Sequence, residues 1–193
     1  NLADPVQVIA GQTTPLNAVL EAGGTISGQV LDQAQAGLYR IQVQIKDLAN
    51  VNRASTLTDA NGNYLVKGLP AGDYKVYFNA HYSNQNYISE WYADKDSFKN
   101  ADIVAVTQGN TTQVNAELAP GSSISGTVTD GSANPIEFVE VYVYDSNGIG
   151  FGGVYTDSSG HYQVNGLPAG NYKVNFYPDE LDNFAVEYLG MPG

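Results

Sequence analysis

The sequence predicts an all-β protein: tandem seven-stranded antiparallel Greek-key β-sandwich modules. Three observations carry this. Residues 58–76, TDANGNYLVKGLPAGDYKV, return as residues 156–174, TDSSGHYQVNGLPAGNYKV, at a spacing of 98 residues from Asp59 to Asp157. Apolar residues alternate with polar ones over short runs, the period of a strand with one buried face. Gly, Pro, Asn and Asp separate those runs, as turns require.

In the repeated stretch, Tyr64 and Val66 share one face, as do Tyr74, Val76 and Phe78, while Lys67, Asp73 and Lys75 share the other. The first set reads as core. Asp59-Ala60-Asn61-Gly62 reads as a hairpin turn. In the Gly-Leu-Pro-Ala-Gly corner, Pro70 presets φ, Gly72 accepts the positive φ or the close approach that the return into the next strand demands, and Leu69 plugs the end of the core. Residues 3–32 align without a gap on residues 101–130, so the repeat begins inside a module. Val6 and Val8 match Val104 and Val106; Leu16, Ala18 and Leu20 match Val114, Ala116 and Leu118. Each group forms two closing strands. The opening strands carry Ile26, Gly28 and Val30, or Ile124, Gly126 and Val128; the next carry Ile41, Val43 and Ile45, or Val139, Val141 and Val143. Between residues 78 and 101 the alternation fails, and an aromatic insertion with one helical turn near residues 96–100 is expected.

The organisation is therefore 1–22, closing strands of a preceding or neighbouring-chain module; 23–120, module 1; and 121–193, module 2 without closing strands. Cysteine is absent, which removes disulfides and thiolate metal sites. A formal charge of −12 opposes a nucleic-acid partner. No apolar run reaches the length of a membrane span, so membrane insertion is not expected. A chain opening on Asn1 is expected to be a processed or excised piece.

No catalytic motif is present, and His81 and His161 correspond to Asp179 and Asn63 in the other copy, so neither belongs to a duplicated site. We expect no enzyme, no catalytic residue and no cofactor. Calcium is the one cation the acidity would attract, yet Asp59, Asn61 and Asn63 lack the glycine position and the final glutamate of a calcium loop. Tyr82, Tyr87, Trp91 and Tyr92 are the candidate ligand contacts, suited to stacking on a glycan or peptide; alternatively, Trp91 and Tyr92, matched by Tyr188 and Leu189, cover the core edge or the module junction. Asn110-Thr111-Thr112 fits a glycosylation sequon.

The Gly-x-Val opening strand, T-D-x-x-G-x-Y, G-L-P-A-G-x-Y-x-V, the Glu90-Trp91-Tyr92 segment and the G-x-S-I-S-G that follows the closing strand together resemble tandem carboxypeptidase regulatory-like domains. The resemblance spans essentially the whole chain. It implies a prealbumin- or immunoglobulin-like sandwich from a secreted or surface-attached bacterial protein, with a spacer or accessory role and no catalysis. The related collagen-adhesin B-type modules often hold a Lys–Asn isopeptide bond. This chain departs from that pattern: its opening strands have no lysine, and Lys75 and Lys173 alternate with the core set and so should face water.

The expected function is a non-enzymatic extracellular or cell-surface module of a stalk, fibre or filament. Its partners would be copies of itself or adjacent repeats of the same chain, with a glycan or surface protein as a further possibility. Val6, Val8, Leu16, Ala18 and Leu20 are the candidate donor strand, completing a neighbouring module head to tail, against the alternative of a longer array cut out of register. The second functional reading is a carbohydrate- or peptide-binding accessory module of a secreted enzyme or adhesin.

Overall fold

The computed structural model describes residues 4–83, 85–178 and 187–189, and among these strands dominate; the one helical element is a single 3-10 turn, His81–Ser83. Module 1 contains β1 (Gly24–Asp32), β2 (Gln42–Asp47), β3 (Asn52–Leu57), β4 (Asn63–Leu69), β5 (Gly72–Asn79), β6 (Glu90–Trp91), β7 (Val104–Val106), β8 (Thr111–Gln113) and β9 (Ala116–Leu118). One sheet runs β4-β1-β8 with β9 also on β1; the other runs β3-β2-β5-β6 with β7 on β5. Their inner faces form a two-layer sandwich. Ile26 and Val30 from β1 and Tyr64 and Val66 from β4 meet Val43 and Ile45 from β2 and Val76 and Phe78 from β5.

The strands exceed the expected seven because the insertion adds β6 and because the second closing run breaks at Val114 into β8 and β9. The pairing is also not wholly antiparallel: β8 and β9 both lie parallel to β1. The chain crosses from β7 in one sheet to β8 in the other, and a crossover between layers permits the parallel arrangement. Gly28 is required there, since a Cβ on it would lie 1.8 Å from the Val114 carbonyl oxygen. The helical turn expected near residues 96–100 is one i→i+4 hydrogen bond, Ala101 N–H to Ser97 O, at 3.0 Å.

Module 2 repeats the plan in β10 (Ser122–Thr127), β11 (Glu140–Asp145), β12 (Gly150–Tyr155), β13 (His161–Leu167), β14 (Tyr172–Tyr177) and β15 (Glu187–Leu189). Registers carry over between the copies. Val43 opposes Phe78 as Val141 opposes Phe176, and Tyr77 opposes Trp91 as Asn175 opposes Tyr188.

Polar groups explain the turns. Asp59 Oδ1 accepts hydrogen bonds from the amides of Asn61 and Asn63, both at 2.9 Å. Asp32, Asp47, Asp130, Asp145 and Asp157 likewise each take the second and fourth amides that follow. Backbone amides thus hold the carboxyls of Asp47, Asp59 and Asp145 below their ordinary value; for Asp130 and Asp157 the neighbouring Asn134 and Ser159 side chains lead and the amides add. Part of the acidity is therefore turn chemistry. In the corner, the left-handed residue is Gly68 at φ 75°, repeated by Gly166 at 75°, whereas Gly72 sits at 158°. Leu69 and Leu167 close the cores at 3% and 1% exposure.

Candidate functional site

Three places could meet a partner: the aromatic insertion, residues 4–20 and the joint between the modules. In the insertion, β6 pairs with β5 and lays Trp91 across the outer face of that strand. The indole is buried, with the Tyr77 ring centroid 4.8 Å away, Phe98 at 5.3 Å edge-on, and Lys46 Nζ 5.6 Å from the ring. Tyr92 packs partly buried against the core, and Tyr87, also half-buried, donates its hydroxyl to Asp32 Oδ2 at 3.2 Å. Tyr82 contributes backbone to the 3-10 turn, and its side chain lies outside the described residues. Trp91, Tyr87 and Tyr92 are thus not brought together as one exposed flat surface.

Lys75, expected to face water, is half-buried because the insertion folds over it. Its Nζ donates to Phe98 O at 2.6 Å and sits 4.6 Å from the Phe98 ring centroid. Lys173, its counterpart, is exposed. Glu90 lies in the same covered region, and burial, with Asp94 and Glu117 adding like charge, pushes its carboxyl up to about 7. His161 is exposed at the start of β13, while His81 lies against Gly152 of β12, where an added Cβ would come within 2.7 Å of the His81 ring. Asn110 is exposed in the turn between β7 and β8.

Residues 4–20 form no strand in this structure. Val6, Val8, Leu16 and Leu20 are 47%, 75%, 75% and 92% exposed, and Ala18 is exposed too. Their counterparts Val104, Val106, Val114 and Leu118 are 4%, 3%, 1% and 0% exposed. Module 2 shows the complementary deficit. Ile26, Val30, Val76 and Phe78 are fully buried, whereas Ile124, Val128, Val174 and Phe176 are only half-buried.

The joint centres on Asn86, on the exposed rim of the insertion. Its side-chain amide donates to Gly121 O at 2.8 Å, and its side-chain oxygen accepts from Gly166 N–H at 2.7 Å. Its backbone carbonyl accepts from Gly121 N–H at 2.8 Å, and Ile88 N–H donates to Ala119 O at 2.9 Å. Gly121 and Gly166 are both needed: an added Cβ on the first would lie 2.7 Å from the Gly166 Cα, and one on the second 2.8 Å from the Tyr87 carbonyl oxygen. The doubled pattern of letters did not single out Asn86. The signal available was the recurrence of Asn86-Tyr87 four residues before Glu90 as Asn183-Phe184 four residues before Glu187.

The arrangement defines a class of protein: a β-sandwich repeat whose modules are joined by the Asn86 side chain together with main-chain hydrogen bonds. The family model of the carboxypeptidase regulatory-like domain matches residues 25–119 and 123–188, and the chain belongs to that family, which is regulatory-like rather than catalytic. Among curated proteins, serine-aspartate repeat-containing protein F of Staphylococcus epidermidis is 30% identical over 160 residues, covering 76% of this chain and 9% of that protein. Serine-aspartate repeat-containing protein C of Staphylococcus aureus strain Newman is 27% identical over 158 residues, covering 75% of this chain and 17% of that protein. The chain spans less than a fifth of the length of these relatives. Among solved structures, a streptococcal ancillary pilin aligns at a TM-score of 0.40 with 13% identity, covering 89% of this chain and 59% of that one. The shaft pilin SpaA of Lactobacillus rhamnosus GG aligns at 0.35 with 10% identity, covering 87% and 93%.

Proposed function

We propose that this chain is a structural segment of an extracellular or cell-surface protein, one stretch of a linear row of sandwich modules in a stalk, fibre or adhesive assembly. Residues 4–20 serve as closing strands for a module of the same kind, passing from one unit to the next head to tail. The observation that carries the reading is the matched contrast between buried Val104, Val106, Val114 and Leu118 and exposed Val6, Val8, Leu16 and Leu20. Leaving such apolar side chains in water forgoes roughly 1.5–3 kcal/mol each, so a strand pattern of this kind calls for a partner sheet. Two successive matches to one family model, over residues 25–119 and 123–188, support a row of modules.

Light scattering against concentration, with negative-stain microscopy, tests the reading. Long uniform fibres that a Leu16→Asp, Leu20→Asp double variant fails to form are the expected result for donation between chains. A monomer would refer the closing strands to one longer polypeptide, and a copy of residues 1–22 appended after Gly193 should then protect the amides of β10. If neither fibres nor protection appears, strand completion is wrong.

A further inference from the structure

Module 1 carries the same pair of glycines that receives Asn86 in module 2. Gly23 matches Gly121 and Gly68 matches Gly166. The geometry is conserved between the copies: an added Cβ on Gly23 would lie 2.5 Å from the Gly68 Cα, against 2.7 Å for the corresponding pair, and Gly68 and Gly166 share a φ of 75°. What differs is the space above them. Beyond Gly68 nothing lies within 4 Å of an added Cβ, whereas at Gly166 the Tyr87 carbonyl oxygen stands at 2.8 Å. At Gly121 the Asn86 side-chain oxygen stands 2.9 Å away, but at Gly23 the nearest atoms belong only to Gly68 and Leu69. Gly68 is accordingly exposed and Gly166 half-buried.

We infer that Gly23 and Gly68 form a docking socket for the asparagine-bearing insertion of a preceding module of this kind, so that the Asn86 joint is one instance of a repeating latch. The occupant follows from what the socket offers. It presents a carbonyl and an amide at Gly23 and a second amide at Gly68, the set that the Asn86 carboxamide and backbone satisfy in module 2. A primary amide supplies one donor and one acceptor at the required separation, and a charged or purely accepting side chain would leave one group unmatched. The missing Cβ atoms let that backbone approach closely. The sequence supplies a second plug of the same spacing, with Asn183 four residues before Glu187. This latch goes beyond strand completion and does not involve residues 4–20, so either can fail alone.

The test is a full chain into which a second copy of residues 23–120 has been inserted after Pro120, with the inserted copy isotopically labelled for amide exchange. In the unmodified chain, Gly68 N–H should exchange about tenfold faster than Gly166 N–H, the loss expected for one exposed hydrogen bond. In the extended chain, Gly68 of the inserted copy should slow to the Gly166 rate, and Asn86→Ala in the copy before it should restore fast exchange. Asn86→Asp, which removes the donor and adds charge, should restore it as well. Equal rates at Gly68 and Gly166 in the unmodified chain would overturn the inference. So would a Gly68 amide that stays fast in the extended chain, or slow exchange that survives Asn86→Ala.

Discussion

The Tyr64 hydroxyl donates a 2.6 Å hydrogen bond to the main-chain carbonyl of Val114, tying β4 to the closing segment across the opening strand β1 at Gly28. Tyr162 is its counterpart, and in module 2 its hydroxyl lies 2.8 Å from where a Cβ on Gly126 would stand, on the side of the opening strand that Val114 O occupies in module 1. Tyr64→Phe should therefore destabilise module 1 by about 1–2 kcal/mol, since it strands a buried carbonyl. Tyr162→Phe should change stability little until a closing segment is supplied, and then cost a similar amount. Chemical denaturation of both variants, with and without an appended copy of residues 1–22, checks the pair.

Thr58 and Thr156, each 2% exposed, hold equivalent backbone groups. Thr58 Oγ1 accepts from Ile41 N–H at 2.9 Å and donates to Leu38 O at 2.5 Å; Thr156 Oγ1 does the same with Val139 N–H and Ile136 O. Replacing Thr58 by Val keeps the shape and orphans both groups, at a cost of roughly 2–4 kcal/mol. Thermal unfolding of Thr58→Val and Thr58→Ser should separate the hydroxyl from the methyl, with Ser retaining most of the stability.

Acidity should act on the fold in two opposed ways. The turn aspartates have depressed carboxyls, so their contribution is present above about pH 4 and is lost as pH falls through their folded values. Glu90, raised from 4.5 to about 7, binds a proton more tightly when folded, so stability falls as pH rises between those two values. Allowing for partial solvent screening, the Glu90 contribution is about 1–2 kcal/mol. Stability should peak near pH 4–5, and Glu90→Gln should flatten the decline towards neutrality; urea midpoints across pH 3–8 measure both.

Trp91 fills the space between Tyr77 and Phe98. Trp91→Ala should cost about 3–5 kcal/mol, as expected for deleting a buried aromatic ring. Emission from the native indole should be blue-shifted and unmoved by soluble glycans. A glycan-dependent shift would support the binding reading of the insertion.

The sandwich was legible because its information is periodic. Tyr74, Val76 and Phe78 state a buried face by spacing alone, and the 98-residue recurrence assigned their counterparts. What escaped depends on partners distant in the chain. Nothing local says that Lys75 is roofed by Phe98, that Val114 breaks the last strand in two, or that Gly68 rather than Gly72 takes the left-handed conformation. The turn aspartates hid in a different way: net charge registers them as solvation, whereas their oxygens are committed to amides two and four residues on. Asn86 was missed because one polar residue in a loop has no period, and its meaning lies in glycines 35 and 80 positions away.

The parallel pairing of β1 with β8 and β9 has a mechanical consequence. A module pulled by its neighbours is stretched through its first and last strands, and in module 1 these lie side by side pointing the same way. Tension then drags one past the other along their shared axis. Every rung of the ladder bears the load at once, in shear, instead of peeling open in succession. Rupture is governed by the unfolding rate rather than by equilibrium stability, so a row of such modules would hold under traction well beyond what its modest cores suggest.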